Sequence, residues 1–398
     1  MRKVVLSLAV VTALSFVSCS SDDNNGGATP TFAKTVADIN LDGVVAPATY
    51  NWTRNNATSV SYGGQTTRIN MLDYITNKQG DEGLKNTART EAQLKGMYNH
   101  TANDGFFSDA TLNSSGKNIK GKTGNSDDFF SGTVEGSQIK TYFDGLITDQ
   151  VANVFPNWST NAAAGTAGQL ADGSSTRYVN AKGYENDQLF AKGLIGALQV
   201  DQATNNYMSR VANDDNSTVE NNYTDMEHHF DEAYGYLLNS ADSNYFNKYL
   251  GKVDADTDFT GIKNEIETAF RIARQAIVDQ KYDVRDQAIE VIRYQVSRVI
   301  AIRAVYYLQA GKNQLDDASG KGPAFHDLSE GLGFVYSLRF IRKSDVKETY
   351  FTKAEVDGLL NDLIGSTNGL WDLTGADLDA VSEAIAAKFD FTVAQAGS

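Results

Sequence analysis

Three of the four histidines lie in two segments that share one pattern. The pattern His-x-x-x-Glu-x-x-Gly-aromatic begins at His228 and begins again at His326. Residues four apart share a face of a helix, so the pattern places Glu232 and Glu330 beside these two histidines. His229 adds an i, i+3 pair with Glu232, the spacing that di-iron bundle proteins use to present an imidazole and a carboxylate together. The repetition indicates two related helical units.

Imidazole nitrogen and carboxylate oxygen are ligands that suit iron, zinc or manganese. The sequence therefore predicts a metal site with the candidate ligands His229, Glu232, His228, His326 and Glu330. Each carboxylate could instead lie outside the ligand shell and fix the tautomer of its imidazole. A third interpretation needs no metal: the His–Glu pairs join helices, and Gly235 and Gly333 permit the helices to approach closely.

The elements that must carry these residues are predicted to be helices. Two very long stretches contain no proline, because the four prolines are Pro30, Pro47, Pro156 and Pro323. Apolar residues recur every three or four positions over 266–277 and over 284–306, which is the period of an amphipathic helix. A capping box at 352–355 opens another helix. The sequence thus predicts an all-α fold.

The length of 398 residues suits one large domain or two of ordinary size. We expect two related helical bundles, an N-terminal one over 46–252 and a C-terminal one over 260–398. The N-terminal half carries irregular loop insertions, and the Gly-, Ala- and Thr-rich segment 162–175 is predicted to be one of them. Lys192 is predicted to be a paired structural lysine.

Charge and cysteine content exclude several functions. The chain has 35 Lys and Arg residues against 50 Asp and Glu residues, a formal net charge of −15. Such a surface repels phosphate backbones, so no nucleic-acid partner is expected. The single cysteine excludes a disulfide framework and a thiolate-rich metal site.

The first residues predict export and lipidation. Residues 1–18 have a positive start and an apolar run too short to span a bilayer, which is typical of a signal peptide. The run ends at Ser18-Cys19, which resembles a bacterial lipobox, so 19–45 is predicted to be a lipidated, flexible tether. Its Ser-Asp-Asp start is similar to a surface-export signal of Bacteroidetes lipoproteins. We expect an outer-membrane lipoprotein held by Cys19 and exposed at the cell surface, with the periplasmic face as the alternative.

Several segments resemble the imelysin superfamily, in particular its Bacteroidetes lipoprotein branch of unknown function. The resemblance covers roughly residues 45–395, and the most specific match is Met226-Glu-His-His-Phe-Asp-Glu-Ala-Tyr-Gly-Tyr236. The family's presumed metal site is marked by G-x-H-x-x-E. His229 and Glu232 match the second part of this motif, whereas Glu227 stands where the family has glycine. The other matching segments are 62–72, 190–197, 326–334 and 369–374.

The resemblance implies a fold of two related helical bundles and a function in iron uptake. Iron is therefore the expected metal and zinc the alternative, and the expected partner is a TonB-dependent receptor of the outer membrane. We expect the protein to bind iron or an iron-bearing ligand without catalysing a reaction. Two other classes stay open: an interaction lipoprotein without a metal, and a metallopeptidase, although the zincin motif H-E-x-x-H is absent.

Overall fold

Helices account for most of the chain, as the period of its apolar residues predicts. The computed structural model describes residues 32–76, 88–239, 245–316 and 320–398. The all-α fold class is confirmed. The α-helices of the described residues are α1 Gly63–Thr76, α2 Glu91–Tyr98, α3 Ala110–Ser114, α4 Val134–Asp149, α5 Asn186–Leu194, α6 Met208–Arg210, α7 Asp225–Leu238, α8 Tyr245–Asp254, α9 Ile262–Val278, α10 Tyr282–Gln314, α11 Gly322–Ser337, α12 Lys353–Ile364, α13 Gly375–Ala386 and α14 Val393–Ala396.

One continuous helical rod runs through the centre of the fold. Helix α5 passes into a π-helical segment, Ile195–Tyr207, which leads into α6. Every residue of α5 and of the π-helical segment is buried, including the polar side chains of Gln199, Asp201 and Asn205. Asp201 accepts hydrogen bonds from the backbone of residues 125 and 126, and Asn205 donates to a backbone carbonyl. These hydrogen bonds offset the energetic cost of burying polar side chains.

The other helices pack around this rod. Helix α11 lies along α5, and α7 lies along the π-helical segment and against α1. The long helix α10 packs against α9, α11 and α13. The apolar period over 284–306 and the period over 266–277 therefore fall inside α10 and α9, and the capping box at 352–355 opens α12 as predicted.

The segment predicted as a loop at 162–175 is a loop only in part. Residues Gly168–Asp172 form a strand that pairs antiparallel with Ser175–Val179. The turn between these strands places Gly173 at a φ of +54°, a conformation that glycine adopts without strain. A shorter hairpin joins Thr53–Arg54 to Ala57–Thr58.

The packing of the helices bears on the predicted division of the chain into two bundles. Residues 32–398 form one compact unit, in which α11 from the predicted bundle 260–398 lies on α5 from the predicted bundle 46–252. The presence of two related bundles stays a prediction. Residues 32–45 were predicted to belong to the flexible tether, but part of this segment packs on the fold. The backbone N–H of Val36 donates to Glu265 at 2.6 Å.

The predicted signal peptide and the lipidated Cys19 lie outside the described residues. Within the part of the chain that the structure describes, no helix combines the length and the apolar character needed to cross a membrane.

Candidate functional site around two histidine motifs

Helix α7 carries the first histidine motif, and its start is defined by a capping box. The side chain of Thr224 accepts a hydrogen bond from the backbone N–H of Glu227, and the carboxylate of Glu227 accepts one from the backbone N–H of Thr224. These bonds satisfy donors that a helix N-terminus would otherwise leave unpaired.

A buried ion network fixes the same helix to the rest of the fold. Arg274 on α9 is fully buried and contacts the carboxylates of Glu227 and Asp231, each at 3.0 Å. Arg54 binds Glu227 through two hydrogen bonds of 2.7 and 2.9 Å, and the hydroxyl of Tyr50 donates to Asp231 at 2.7 Å. Glu227, which stands where the imelysin motif has glycine, is thus fully engaged in holding α7.

His229 is oriented by a carboxylate from outside the motif. Its Nδ1 lies 2.7 Å from the carboxylate of Asp214, in the loop before α7. An ionised carboxylate only accepts hydrogen bonds, so Nδ1 is the donor, and the neutral ring then carries its lone pair on Nε2. The ring lies beside Tyr207, with 5.9 Å between the ring centroids.

His228 stacks on Tyr223, with 4.5 Å between the ring centroids. Burial lowers the pKa of His228. The nearby carboxylate of Glu232 opposes this shift, and His229 adds to it. The imidazole is therefore neutral at pH 7 and keeps a lone pair.

Glu232 is bonded to a neighbouring helix and lies near a partly buried lysine. Its Oε1 accepts a hydrogen bond of 2.7 Å from Gln65 on α1. Lys122 lies close to Arg68, Arg210 and Glu232. The pKa of Lys122 is lowered, because burial and the positive charge of Arg68 outweigh the negative charge of Glu232. The first motif therefore lies in a half-buried region of mixed charge, with Lys122, Arg68 and Arg210 on one side of the balance and Glu232, Asp127 and Asp214 on the other.

The second motif lies on α11 and has its own neighbours. Nδ1 of His326 lies 2.5 Å from the carboxylate of Glu185, so this ring too is held by a carboxylate from outside its motif. Glu330 is ion-paired with Lys192 at 3.0 Å and accepts a hydrogen bond of 3.5 Å from Tyr249. Burial would raise the pKa of Glu330, but the positive charge of Lys192 and the other neighbours lower it to about 2.

The two motifs use their glutamate and glycine in the same way. A Cβ built on Gly235 would lie 3.2 Å from the Cβ of Gln65, and the amide of this Gln65 bonds Glu232. A Cβ built on Gly333 would lie 2.5 Å from the Cβ of Lys192, whose ammonium pairs with Glu330. In both cases a long polar side chain crosses the glycine and reaches the glutamate. The prediction that the glycines permit close helix approach is confirmed, as is the pairing of Lys192.

We expect an added methyl group at either glycine to destabilise the fold. The Cβ atoms in the way belong to Tyr62, which directly precedes α1 and lies 2.4 Å from the Gly235 position, and to Lys192 in α5, so neither can move without the backbone that carries it. Overpacking of this kind costs about 1–3 kcal/mol of unfolding free energy. Urea unfolding of Gly235→Ala and Gly333→Ala measures the cost. Gly358→Ala in α12 is the control, because its Cβ would meet no atom within 4 Å. An equal effect at all three positions would contradict this packing.

A metal ion can bind here only if several ligand side chains lie close enough together to contact it at once. Among the described residues, no three His, Cys, Asp or Glu side chains are placed to hold a metal ion together. Lys192 also occupies the Glu330 oxygen that a metal would need. His228, His229 and Glu232 lie close to one another on α7, whereas His326 and Glu330 have separate surroundings on α11. The assignment of all five as metal ligands stays a prediction.

These features define a mostly helical protein with two carboxylate-oriented histidines at half-buried polar sites. The chain belongs to the family of the domain of unknown function DUF4856, whose model matches residues 47–392. No curated protein and no solved structure matches it.

Several residues of the site could not be found from the motifs alone. Asp214 and Glu185, which orient the two histidines, lie 15 and 141 positions away from them. The cations Lys122 and Arg68 reach the first motif from other segments.

Proposed function

We propose that this protein is a lipoprotein that binds an iron-bearing ligand and assists its uptake. The observation that supports the proposal is the matched pair of histidines, His229 and His326, each bonded through Nδ1 to a carboxylate. Metal-ligating histidines are commonly held in this way, because the bond fixes the tautomer and directs Nε2 to the metal. The relationship to imelysin-like proteins belongs to the same proposal.

The charges near the first motif allow an anionic iron chelate as the ligand. The ammonium of Lys122, with Arg68 and Arg210 close to it, can attract the carboxylates of a chelator, and the carboxylates of Asp127 and Asp214 offset part of that charge. A chelate also brings most of its own ligands, so that one or two imidazoles can fill the remaining positions. Zinc, the alternative metal, would need a fuller set of protein ligands than the described residues bring together.

The location and partner follow from the N-terminal sequence and the family resemblance. Lipid on Cys19 would hold the protein at the outer membrane, at the cell surface or on the periplasmic face. A TonB-dependent receptor is the proposed recipient of the ligand. The proposal is one of binding and transfer and needs no catalytic step.

Titration of the full chain carrying Cys19→Ser, which lacks the lipid acceptor, tests the proposal. We expect ferric citrate to quench the intrinsic fluorescence of this protein. Loss of a group that orients a metal-ligating histidine typically lowers affinity about 10–100-fold, so we expect that loss for Asp214→Asn and a larger one for His229→Ala. Asp362→Asn, at an exposed position of α12, is the matched control. Unchanged affinity in His229→Ala would rule out this histidine as a ligand.

One observation favours a second candidate, an interaction lipoprotein without a metal. Both motif glutamates already have protein partners, Gln65 for Glu232 and Lys192 for Glu330. If the motifs serve only to pack helices, His229→Ala lowers the melting temperature and the wild-type protein binds neither ferric citrate nor iron. The same titration therefore separates the two candidates.

A further inference from the structure

A cavity of about 460 Å³ lies between the end of α8, the middle of α10 and the last residues of the chain. It involves no residue of either histidine motif. Its volume falls within the range of sites for small molecules. The residues that line it are partly apolar and partly charged, and those that matter below are Lys252, Val253, Asp256, Ile302, Arg303 and Tyr306.

Arg303 is the unusual member of this lining. It is only 4% exposed, yet its Nε and Nη2 have no hydrogen-bond partner in the part of the chain that the structure describes. Its guanidinium stacks on Tyr306 and Tyr307, 4.0 and 4.5 Å from their ring centroids. Arg274 and Arg342 are similarly buried, but each contacts a carboxylate, at 3.0 and 2.6 Å. Two buried N–H groups without an acceptor are costly, which indicates that Arg303 is kept for another partner.

The lining of the cavity contains a second cation, Lys252, in addition to Arg303. The ammonium of Lys252 is 5.7 Å from the ring centroid of Tyr249, and the guanidinium of Arg303 is 5.5 Å from the same centroid. Lys252 is exposed to solvent along part of its side chain. Its partial burial lowers the pKa of its ammonium, and the charge of Arg303 lowers it further, as expected for two cations close together. The nearby carboxylate of Glu330 does not neutralise them directly, because it is paired with Lys192 at 3.0 Å.

We propose that this cavity binds a small organic carboxylate that pairs with Arg303 and Lys252. The planar fork of a guanidinium matches the two oxygens of a carboxylate, and the ammonium supplies a second charge-assisted bond. The apolar side chains of Val253 and Ile302 suit a ligand with a hydrocarbon body. Asp256, which also lines the cavity, disfavours a doubly charged phosphate.

Benzoate is the probe, because it joins a carboxylate to an apolar ring. Benzamide is its uncharged counterpart, and inorganic phosphate is the competing anion. We expect benzoate, but neither of the others, to raise the melting temperature of the full chain carrying Cys19→Ser and to bind in calorimetry. Arg303→Met, which keeps the packing between the tyrosines, should abolish binding. Lys252→Met at an exposed position should weaken it about tenfold, since one charge-assisted bond contributes about 1.4 kcal/mol or more.

Lys263→Met on α9 is the control for loss of a lysine elsewhere and should bind benzoate like the wild type. His229→Ala should also keep benzoate binding, so a failure of the iron proposal leaves this one standing. Lys252→Met carries the test if Arg303→Met does not fold. The proposal is overturned if benzoate does not bind, if benzamide or phosphate binds equally well, or if Lys252→Met binds benzoate as tightly as the wild type.

Discussion

Replacing Arg274 with methionine should lower the free energy of unfolding by about 3–5 kcal/mol, one of the two largest effects that we expect from a single change. The side chain of Arg274 is fully buried and is the shared partner of Glu227 and Asp231. Methionine fills the space but leaves the buried carboxylate of Asp231 without its cation and Glu227 with Arg54 alone. Asp231 already has a pKa raised to about 6 by burial, although Arg274 opposes that shift.

Urea unfolding followed by circular dichroism measures this loss. Arg54→Met is the matched control, because Arg54 binds the same Glu227 but its side chain is 29% exposed. We expect the control to cost about 1 kcal/mol, since a partly exposed ion pair contributes less than a buried one. Arg274→Met with a stability within about 1 kcal/mol of the wild type would contradict the role of this network in holding α7.

The second large effect is expected at the pair between α5 and α11. Lys192→Met leaves the buried carboxylate of Glu330 without its cation, which should cost about 3–5 kcal/mol. The double variant Lys192→Met/Glu330→Gln removes both charges and should recover most of the loss. A double variant as unstable as the single one would show that packing around Lys192, and not the charge, decides its effect.

The ion pair between Lys192 and Glu330 also determines how the stability of the fold changes with pH. The folded-state pKa of Glu330 is lowered to about 2, below its ordinary value of 4.5. A lowered carboxyl pKa stabilises the fold at pH values above the unfolded pKa, and the contribution disappears as the pH falls from about 4.5 toward 2. Lys192→Met should therefore lose much of its disadvantage relative to the wild type near pH 2, as measured by urea unfolding.

The helices could be predicted from the sequence because their burial follows a regular period. Helices α9 and α10 bury one apolar face, and the capping box that opens α12 uses only neighbouring residues. The role of Gly235 and Gly333 could also be anticipated, since a glycine beside an aromatic residue in a repeated helical motif indicates close packing. These features depend on residues a few positions apart.

The environment of the histidines could not be predicted in the same way. Asp214 and Glu185 reach His229 and His326 only through tertiary folding, and nothing in the spacing of either motif identifies them. The π-helical segment Ile195–Tyr207 was missed because its polar residues do not follow an amphipathic period. Its side chains are instead bonded individually to loops and neighbouring helices, as Asp201 and Asn205 are.

The most direct test of the central proposal is the ligand content of the protein after equilibrium dialysis against ferric citrate. The full chain carrying Cys19→Ser is compared with the same chain carrying His229→Ala and His326→Ala, and with the control Asp362→Asn. We predict that the wild-type sequence and the control retain iron and citrate together in stoichiometric amounts, and that the double histidine variant retains no iron. A wild-type protein without iron, or equal iron in the double variant, would contradict the proposal that these histidines bind an iron-bearing ligand.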